Sequence, residues 1–324
     1  MAVVKIGYLN FPLGLSLAPM AGYSDRAMRF LCHKYGAEYS VSEMVSATAV
    51  TFGDKKTASL AKTEKDEGPV GLQLFGSRPE IMGEAAKIIT DIFSDSPPAF
   101  IDINMGCPVN KIFSNGEGSA LMKNPSLIEK IVRAVKDSVR IPVTAKIRTG
   151  IDENSINAVD CALALEAGGA DALCIHGRTR KQMYSGTVDR KTIREVKNSL
   201  HIPLIANGDI TSVQDAIDML SETGADGISI GRGAVGNPFI FDEIRSALTN
   251  KEYTPPTLEE RIETALFQLK IAVEDKGERI AVCEARKQIA LYLKGHRGAS
   301  SVRGEINKAT TYKEVEDIFL SLKG

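Results

Sequence analysis

The chain has 324 residues, of which 43% are hydrophobic and 25% are charged, and its formal net charge is −1. These values are typical of a globular protein and exclude a disordered or fibrous chain. A net charge near zero gives no overall attraction to nucleic acid, so binding of that kind requires a local basic patch.

The sequence also limits the location of the protein and the kind of site it contains. No apolar run reaches the roughly 18 residues that a membrane helix needs, and the start of the chain lacks the pattern of a secretory signal. We therefore expect a cytoplasmic protein. The five cysteines form no CxxC pair, which argues against a disulfide framework and against a metal site. The sequence does not indicate an oligomeric state.

Apolar, strand-like stretches alternate with helix-period segments from Leu15 to about Phe241, which is the pattern of repeated βα units. Asn124-Pro125 is a typical helix start, and Gly224 a typical residue after a helix end. Eight strands are predicted: Leu15–Met20, Tyr39–Met44, Val70–Phe75, Phe100–Met105, Val143–Arg148, Ala172–His176, Leu204–Asn207 and Gly227–Gly231. Eight such units favour an α/β chain that closes into a (β/α)8 TIM barrel, with an open, doubly wound sheet as the alternative.

Beyond Phe241 the strand pattern ends and helical patterns follow. Pro255-Pro256 precedes Thr257 and Glu260, which have the spacing of a capping box at the start of a long helix. We therefore predict two domains: a barrel that carries the site, residues 1–244, and a small helical domain, residues 245–324.

The predicted helical domain carries a modest basic patch. Between residues 286 and 308 there are six basic side chains and a single acidic one, Glu305. The basic residues are Arg286, Lys287, Lys294, Arg297, Arg303 and Lys308. Such a patch is either a solvated helix face or a surface that binds nucleic acid.

In a barrel of this kind the site forms at the carboxyl ends of the strands. Nearly every predicted strand ends in polar residues or glycine, which indicates a large ligand across the barrel mouth. Gly208 and the run 231–233 follow the last two strands, where such barrels commonly bind a phosphate through backbone N–H groups. Arg232 adds a positive charge there. The alternative is that these glycines only form tight turns.

Lys146 and Arg148 are two residues apart on one predicted strand, so both side chains point into the barrel mouth. A bound flavin explains a cation at this place, because a positive charge near the ring stabilises the anionic reduced form. Gln73 is placed to hydrogen-bond the ring edge. The alternative for Lys146 is an ion pair with Asp102 or Glu43 inside the barrel.

Cys107 differs from the other cysteines because it lies in a loop at a strand end, beside Pro108. An unperturbed thiol has a pKa of about 8.5 and is protonated at neutral pH, so it can donate a proton. The other four fall in predicted helices or a strand, where a small buried side chain is expected. His176 ends another strand, where it either contacts a ligand or satisfies backbone groups.

Eight motifs follow one another along the chain: LAPMAGYSD, SEMVSA, QLFG, DINMGCP, KIRTG, IHGRT, ANGDI and IGRGAVGNPFIF. In order and spacing they resemble the motifs of bacterial tRNA dihydrouridine synthases, most closely the B-type members. The C-terminal segment ARKQIALYLKG is similar to the helical tRNA-binding domain of that family. The similarity covers essentially the whole chain. One departure is Gln288, where B-type members commonly have histidine.

This resemblance implies a bound FMN, NADPH as its reductant and tRNA as the substrate. The implied FMN contacts are Pro19, Met20, Ala21, Gln73, Lys146, His176, Asn207, Gly208, Asp209, Gly231 and Arg232. The implied substrate contacts are Asn104, Arg148, Arg178, Lys287, Lys294 and Arg297, the last three of them to tRNA phosphates.

The reaction of the family implies that NADPH reduces the flavin, that a hydride then passes to C6 of a uridine, and that Cys107 protonates C5. The uridine must swing out of the folded RNA to reach the barrel mouth. No GxGxxG motif follows a predicted strand, so NADPH would reach the flavin without a dinucleotide-binding domain of its own.

Two other interpretations stay open. One is a flavin barrel that acts on a small molecule such as dihydroorotate or a free pyrimidine, against which the basic tail argues. The other is a non-catalytic RNA-binding protein that keeps the barrel as a scaffold. The combination of Cys107, Lys146 and the predicted phosphate turns argues against the second interpretation.

Overall fold

A computed structural model describes residues 3–54, 57, 60–296 and 299–323. The strands in this part of the chain are β1 (Val4–Ile6), β2 (Leu9–Phe11), β3 (Leu15–Leu17), β4 (Tyr39–Val41), β5 (Val45–Ser46), β6 (Val70–Phe75), β7 (Phe100–Asn104), β8 (Val143–Arg148), β9 (Ala172–His176), β10 (Leu204–Asn207) and β11 (Gly227–Ile230). All eight predicted strands are present.

Parallel strands close into a barrel. The ring runs β3-β4-β6-β7-β8-β9-β10-β11, and β11 pairs again with β3. The predicted (β/α)8 barrel is therefore confirmed, and the alternative of an open sheet is wrong. Of the second predicted strand, Tyr39–Met44, only β4 (Tyr39–Val41) is regular, and the separate strand β5 (Val45–Ser46) follows it; both pair with β6. Between them, Ser42 Oγ accepts a hydrogen bond from Gln73 N at 3.0 Å, so a side chain replaces a regular ladder partner.

Helices cover the outside of the barrel. They are α1 (Arg26–Lys34), α2 (Ala47–Thr51), α3 (Pro79–Ile92), α4 (Asn110–Ser114), α5 (Pro125–Ser138), α6 (Ala158–Ala167), α7 (Arg190–Ser199), α8 (Val213–Thr223) and α9 (Ile240–Leu248). Their starts follow the sequence signals: Asn124 caps α5 by accepting from Leu127 N, with Pro125 in the first turn. Among the described residues, no helix is both long enough and apolar enough to cross a bilayer.

Successive side chains of a barrel strand point alternately to the helices outside the barrel and to the barrel interior. On β8, Val143, Ala145 and Ile147 pack into the apolar core beneath the helices, whereas Thr144 and Lys146 line the barrel interior. This is the period-2 arrangement expected of a strand. A small cavity of about 20 Å³ lies in the interior, which is close to the volume of one water-sized probe. The barrel is thus filled by side chains below its mouth.

The hairpin of β1 and β2 closes the other end of the barrel, and the sequence analysis missed it. Val4, Ile6 and Phe11 form a cluster with Tyr39 and Phe100, the first residues of β4 and β7, at the amino ends of the barrel strands. Each hairpin strand has only three residues, which is too short for a clear periodicity. Because the hairpin covers this end, the site can open only at the carboxyl ends of the strands.

The C-terminal helices form a second, smaller core. They are α10 (Leu258–Lys276), α11 (Glu278–Ile289), α12 (Ala299–Ile306) and α13 (Tyr312–Leu320). Leu269, Tyr292 and Phe319 are buried at its centre. The boundary proposed after residue 244 falls within α9, whose Ile240 and Ile244 pack into the barrel core. The division into domains stays a prediction.

Replacing Gly71 with alanine is expected to destabilise the fold by about 1–3 kcal/mol. A Cβ on Gly71 would lie 2.1 Å from Phe100 Cε2, so the buried ring would have to move within the packed barrel. Urea unfolding would measure the change in the free energy of unfolding. Gly304→Ala is the matched control, since its Cβ would have no neighbour within 4 Å and it lies in a helix. A Gly71→Ala midpoint equal to that of wild type would contradict this account of the interior.

Candidate active site

Lys146 lies near the carboxyl end of β8, and its side chain lines the interior of the barrel. Its Nζ donates a hydrogen bond to Asn207 Oδ1 at 3.0 Å, and Asn207 Nδ2 donates to Ser229 O at 2.7 Å. Burial lowers the pKa of Lys146. An ammonium has three N–H donors, and Asn207 is its only hydrogen-bond acceptor among the described residues. A polar or anionic group beside Lys146 would satisfy the rest.

Asp102 takes its hydrogen bonds from groups other than Lys146. Its Oδ2 accepts from Gln73 Nε2 at 2.7 Å, and burial raises the pKa of Asp102. Glu43, the other partner considered for Lys146, accepts from the backbone N–H of Gly22. Within the described chain, Lys146 forms neither of the two ion pairs that the sequence left open, so its charge is available to a ligand.

A chain of amides links the barrel interior to Cys107. Gln73 Oε1 accepts a hydrogen bond from Asn104 Nδ2 at 2.8 Å. The other end of that side chain, Asn104 Oδ1, accepts from the backbone N–H groups of Gly106 at 3.2 Å and Cys107 at 2.9 Å. Both ends of the Asn104 amide are therefore fixed, and they hold the turn that presents Cys107.

The Cys107 thiol is suited to donate a proton. It is half-buried, and this burial raises the pKa of Cys107 above its usual value, although the backbone N–H of Val109 and the charge of Arg148 act in the opposite direction. A thiol with a raised pKa is protonated at neutral pH. The environment therefore favours an acid over a thiolate nucleophile.

The other cysteines have different surroundings. Cys32 and Cys161 are buried, as expected for small side chains in helices. Cys174 lines the cavity inside the barrel, and burial raises its pKa to about 11. Cys283 on α11 is exposed, so the expectation of a buried side chain is wrong at this position. It faces away from the stripe of α11 that packs into the helical core.

Arg178 is fully buried and its donors are already used. Nη1 and Nη2 contact the two carboxylate oxygens of Asp209 at 2.8 and 2.5 Å. Nε and Nη2 also donate to the backbone carbonyls of Ser185 and Gly186. His176 beside it is held neutral, because burial and the neighbouring cations strongly lower its pKa. This arrangement favours a role for Arg178 in shaping the mouth over direct contact with a substrate.

The predicted phosphate site lies at the turns after β10 and β11. Gly208 has a φ of +123°, which L side chains rarely adopt. A Cβ on Gly231 would lie 3.4 Å from Met20 Sδ, so glycine keeps this side of the mouth open. Arg232 lies 3.3 Å from Asp209 with 58% of its side chain exposed. Backbone N–H groups and an accessible guanidinium together fit a phosphate.

The loop after β3, which includes residues 19–21, joins the mouth to the helical domain. Lys287 Nζ on α11 lies 4.4 Å from the centre of the Tyr23 ring, and Gln288 Nε2 donates to Gly22 O at 3.3 Å. Lys294 is exposed farther along, whereas Arg297 lies outside the described residues. The structure thus brings Lys287 to the rim of the mouth and leaves Lys294 on the outer surface.

Tyr184 is a residue of the mouth that the sequence analysis missed. Its ring centre lies 5.9 Å from the guanidinium carbon of Arg148 and 5.0 Å from that of Arg232, and 55% of the residue is exposed. Arg148 is itself fixed by bonds from Nε to Gly106 O and from Nη1 to Thr179 O. An exposed aromatic ring flanked by two arginines can stack on a planar ligand. The sequence feature that could have indicated Tyr184 is an aromatic residue in the loop after β9, a strand that ends in a predicted site residue.

Comparison with known proteins agrees with this geometry. Residues 16–322 match the model of the family described as Dihydrouridine synthase (Dus). The chain is 40% identical over 305 residues to tRNA-dihydrouridine synthase B of Vibrio vulnificus, covering 94% of each protein. It is 38% identical over 309 residues to tRNA-dihydrouridine synthase B of Xanthomonas axonopodis pv. citri, covering 95% of the chain and 92% of that protein. It is 38% identical over 317 residues to the probable tRNA-dihydrouridine synthase 1 of Synechocystis sp., covering 97% of the chain and 88% of that protein.

Proposed function

The chain belongs to the dihydrouridine synthase family, and from this premise we propose that it reduces the C5–C6 double bond of uridine in tRNA, with FMN as cofactor and NADPH as reductant. The observation that carries the proposal is a half-buried Cys107, whose backbone N–H is held by Asn104, at the same strand ends as Lys146, which forms no salt bridge with another described residue. The resemblance to B-type members agrees with the relatives of that name.

The residues of the mouth fit FMN. Lys146 would lie beside the ring, and the turns at Gly208 and Gly231 with Arg232 would hold the phosphate. Pro19, Met20, Ala21, Gln73, His176, Asn207 and Asp209 complete the proposed set. FMN bound there and reduced by NADPH would supply the hydride for C6 of the uridine.

The protein itself supplies the proton. In the proposed reaction the Cys107 thiol donates its proton to C5 of the uridine, while Asn104 fixes the backbone from which the thiol extends. Arg148 and Tyr184 border the space above the mouth, where they would orient an extruded base and exclude water from it. The neutral His176 adds no charge beside that base.

The proton donor predicts a one-sided pH profile. Because burial raises the pKa of Cys107, the rate of dihydrouridine formation by pre-reduced enzyme should stay level across neutral pH and fall only as the pH rises through that raised pKa. The rate falls with rising pH because only the protonated form of Cys107 can donate the proton. Single-turnover rates measured across neutral and alkaline pH would test this. Cys107→Ser should show a lower rate without the alkaline fall, which separates Cys107 from a titration of Lys146.

The helical domain would position the tRNA. Lys287→Ala together with Lys294→Ala should weaken tRNA binding about tenfold and reduce the slope of log affinity against log salt by about 2, since each lysine would contact a phosphate. NADPH oxidation by the free enzyme should not change. The control is Lys130→Ala with Lys191→Ala, two exposed lysines on the outer helices. Unchanged tRNA affinity in the Lys287/Lys294 variant would remove this patch from the interface.

The function itself is tested with the purified protein and tRNA. We expect a yellow protein that binds FMN and forms dihydrouridine in tRNA taken from a strain that lacks this gene. Greater activity on free uracil or orotate than on unmodified tRNA would favour the small-molecule flavoenzyme. A protein that stays colourless with added FMN would favour a non-catalytic RNA-binding barrel.

A further inference from the structure

The segment that follows Cys107, residues 108–118, buries few of its side chains. It contains α4, a helix of five residues, none of which is buried. A helix this short is not stable by itself. The segment ends at Gly118 with a φ of +58°, where a Cβ would lie 3.0 Å from Cys107 Cβ, and Ser119 Oγ donates to Cys107 O at 2.8 Å. The two ends of the segment therefore meet at Cys107, and displacement of the segment displaces the thiol.

Arg180 makes the main contact from outside the segment. Its guanidinium carbon lies 3.8 Å from the ring centre of Phe113 on α4, and its Nη2 donates to Asn110 Oδ1 at 2.6 Å. Lys123 Nζ lies 4.5 Å from the same ring. The backbone of Arg180 is fixed in turn, since its N–H donates to Gly150 O at 2.9 Å. The first and last turns of α4 are thus held by one side chain from the loop after β9.

From these contacts we infer that Arg180 is a positioning residue for the reaction: with Phe113 and Asn110 it forms a clamp that holds the Cys107 segment closed over the barrel mouth. The inference rests on the proposed function for the role of the Cys107 proton, but the clamp itself is a matter of geometry. Arg180 Nε is buried without a hydrogen-bond partner among the described residues. An unpaired donor of this kind offsets part of the stacking, so the clamp has a modest net strength and can release the segment.

The test measures the exposure of the Cys107 thiol separately from turnover. Iodoacetamide labelling of the FMN-loaded enzyme, followed at Cys107 by mass spectrometry, should be about tenfold faster in Arg180→Ala than in wild type, the effect expected for loss of about 1.4 kcal/mol from the stacking and the hydrogen bond. Dihydrouridine formation should fall by a smaller factor, because the closed population loses proportionally less than the open population gains while the closed state predominates. The rate of flavin reduction by NADPH should stay at the wild-type value. Arg180→Lys, which keeps the cation and loses the planar fork, should lie between the two.

Phe113→Leu provides a second route to the same result, because it removes the ring and leaves Arg180 in place. It should speed the labelling of Cys107 as Arg180→Ala does. If Arg180→Ala does not fold, the labelling rate of Phe113→Leu tests the clamp by itself. Arg133→Ala is the control: that arginine pairs with Glu129 on an outer helix and should change neither rate. Wild-type labelling rates in both clamp variants would overturn the inference. Faster labelling in both clamp variants with dihydrouridine formation at the wild-type rate would show that these contacts hold the segment without positioning the thiol for the reaction, which would overturn the positioning role of Arg180.

Discussion

Replacing Cys107 with alanine should lower the rate of dihydrouridine formation by a factor of about 10²–10⁴, the range that a positioned general acid contributes. FMN should stay bound and NADPH should still bleach it, because Cys107 contacts the chain through Asn104 and Ser119 and does not lie at the phosphate turns. Flavin absorbance and the rate of its bleaching would be measured first without tRNA. Dihydrouridine in the product tRNA would then be quantified in the same preparation.

Two control variants distinguish loss of the proton donor from damage to the fold in this experiment. Cys283→Ala removes an exposed thiol on α11 and should leave both rates unchanged. Cys174→Ala removes a thiol inside the barrel, so it reports what loss of a buried sulfur does to the fold. If Cys107→Ala lost its FMN, the cysteine would be structural, and the assignment of the proton donor would be wrong.

The fold was predictable because local patterns and global topology agree. On β8 the apolar residues Val143, Ala145 and Ile147 alternate with Thr144 and Lys146, and the same alternation recurs around the barrel. The short hairpin β1–β2 escaped prediction because three residues carry too little periodicity. The break between β4 and β5 escaped for another reason: it depends on Ser42 meeting Gln73, a contact that no local pattern encodes.

The sequence predicts a site at the carboxyl ends of the strands, but it does not predict which neighbour each side chain contacts there. Glycines and cations at strand ends indicate an anion at the mouth, whereas the partner of each side chain depends on neighbours far along the chain. Arg178 illustrates this, because its pairing with Asp209, 31 residues away, could not be read from the sequence; its contact with a substrate stays a prediction. Lys146 illustrates the converse, because Asp102 was a plausible partner and is instead bonded to Gln73. The spacing of residues along a strand predicts the face on which a side chain lies. Which neighbour the side chain contacts depends on the packing of the whole barrel.

Replacing Lys146 with methionine should weaken FMN binding and slow flavin reduction by NADPH by about 10²–10³, the loss typical of one preorganised donor in an active site. Methionine has nearly the length of lysine and removes the charge, so the change isolates the ammonium. Equilibrium titration with FMN and stopped-flow bleaching by NADPH would measure the two effects.

The same substitution should not destabilise the apoprotein, and this distinguishes a ligand-binding lysine from a structural one. A buried ammonium without an anionic partner opposes folding, so the Lys146→Met apoprotein should unfold at the wild-type urea midpoint or above it. Lys130→Met on the exposed face of α5 is the control for replacing lysine by methionine. A Lys146→Met protein that kept wild-type FMN affinity and bleaching rate would show that the ammonium does not face the cofactor. A lower midpoint with normal FMN binding would show that Lys146 serves the barrel rather than its ligand.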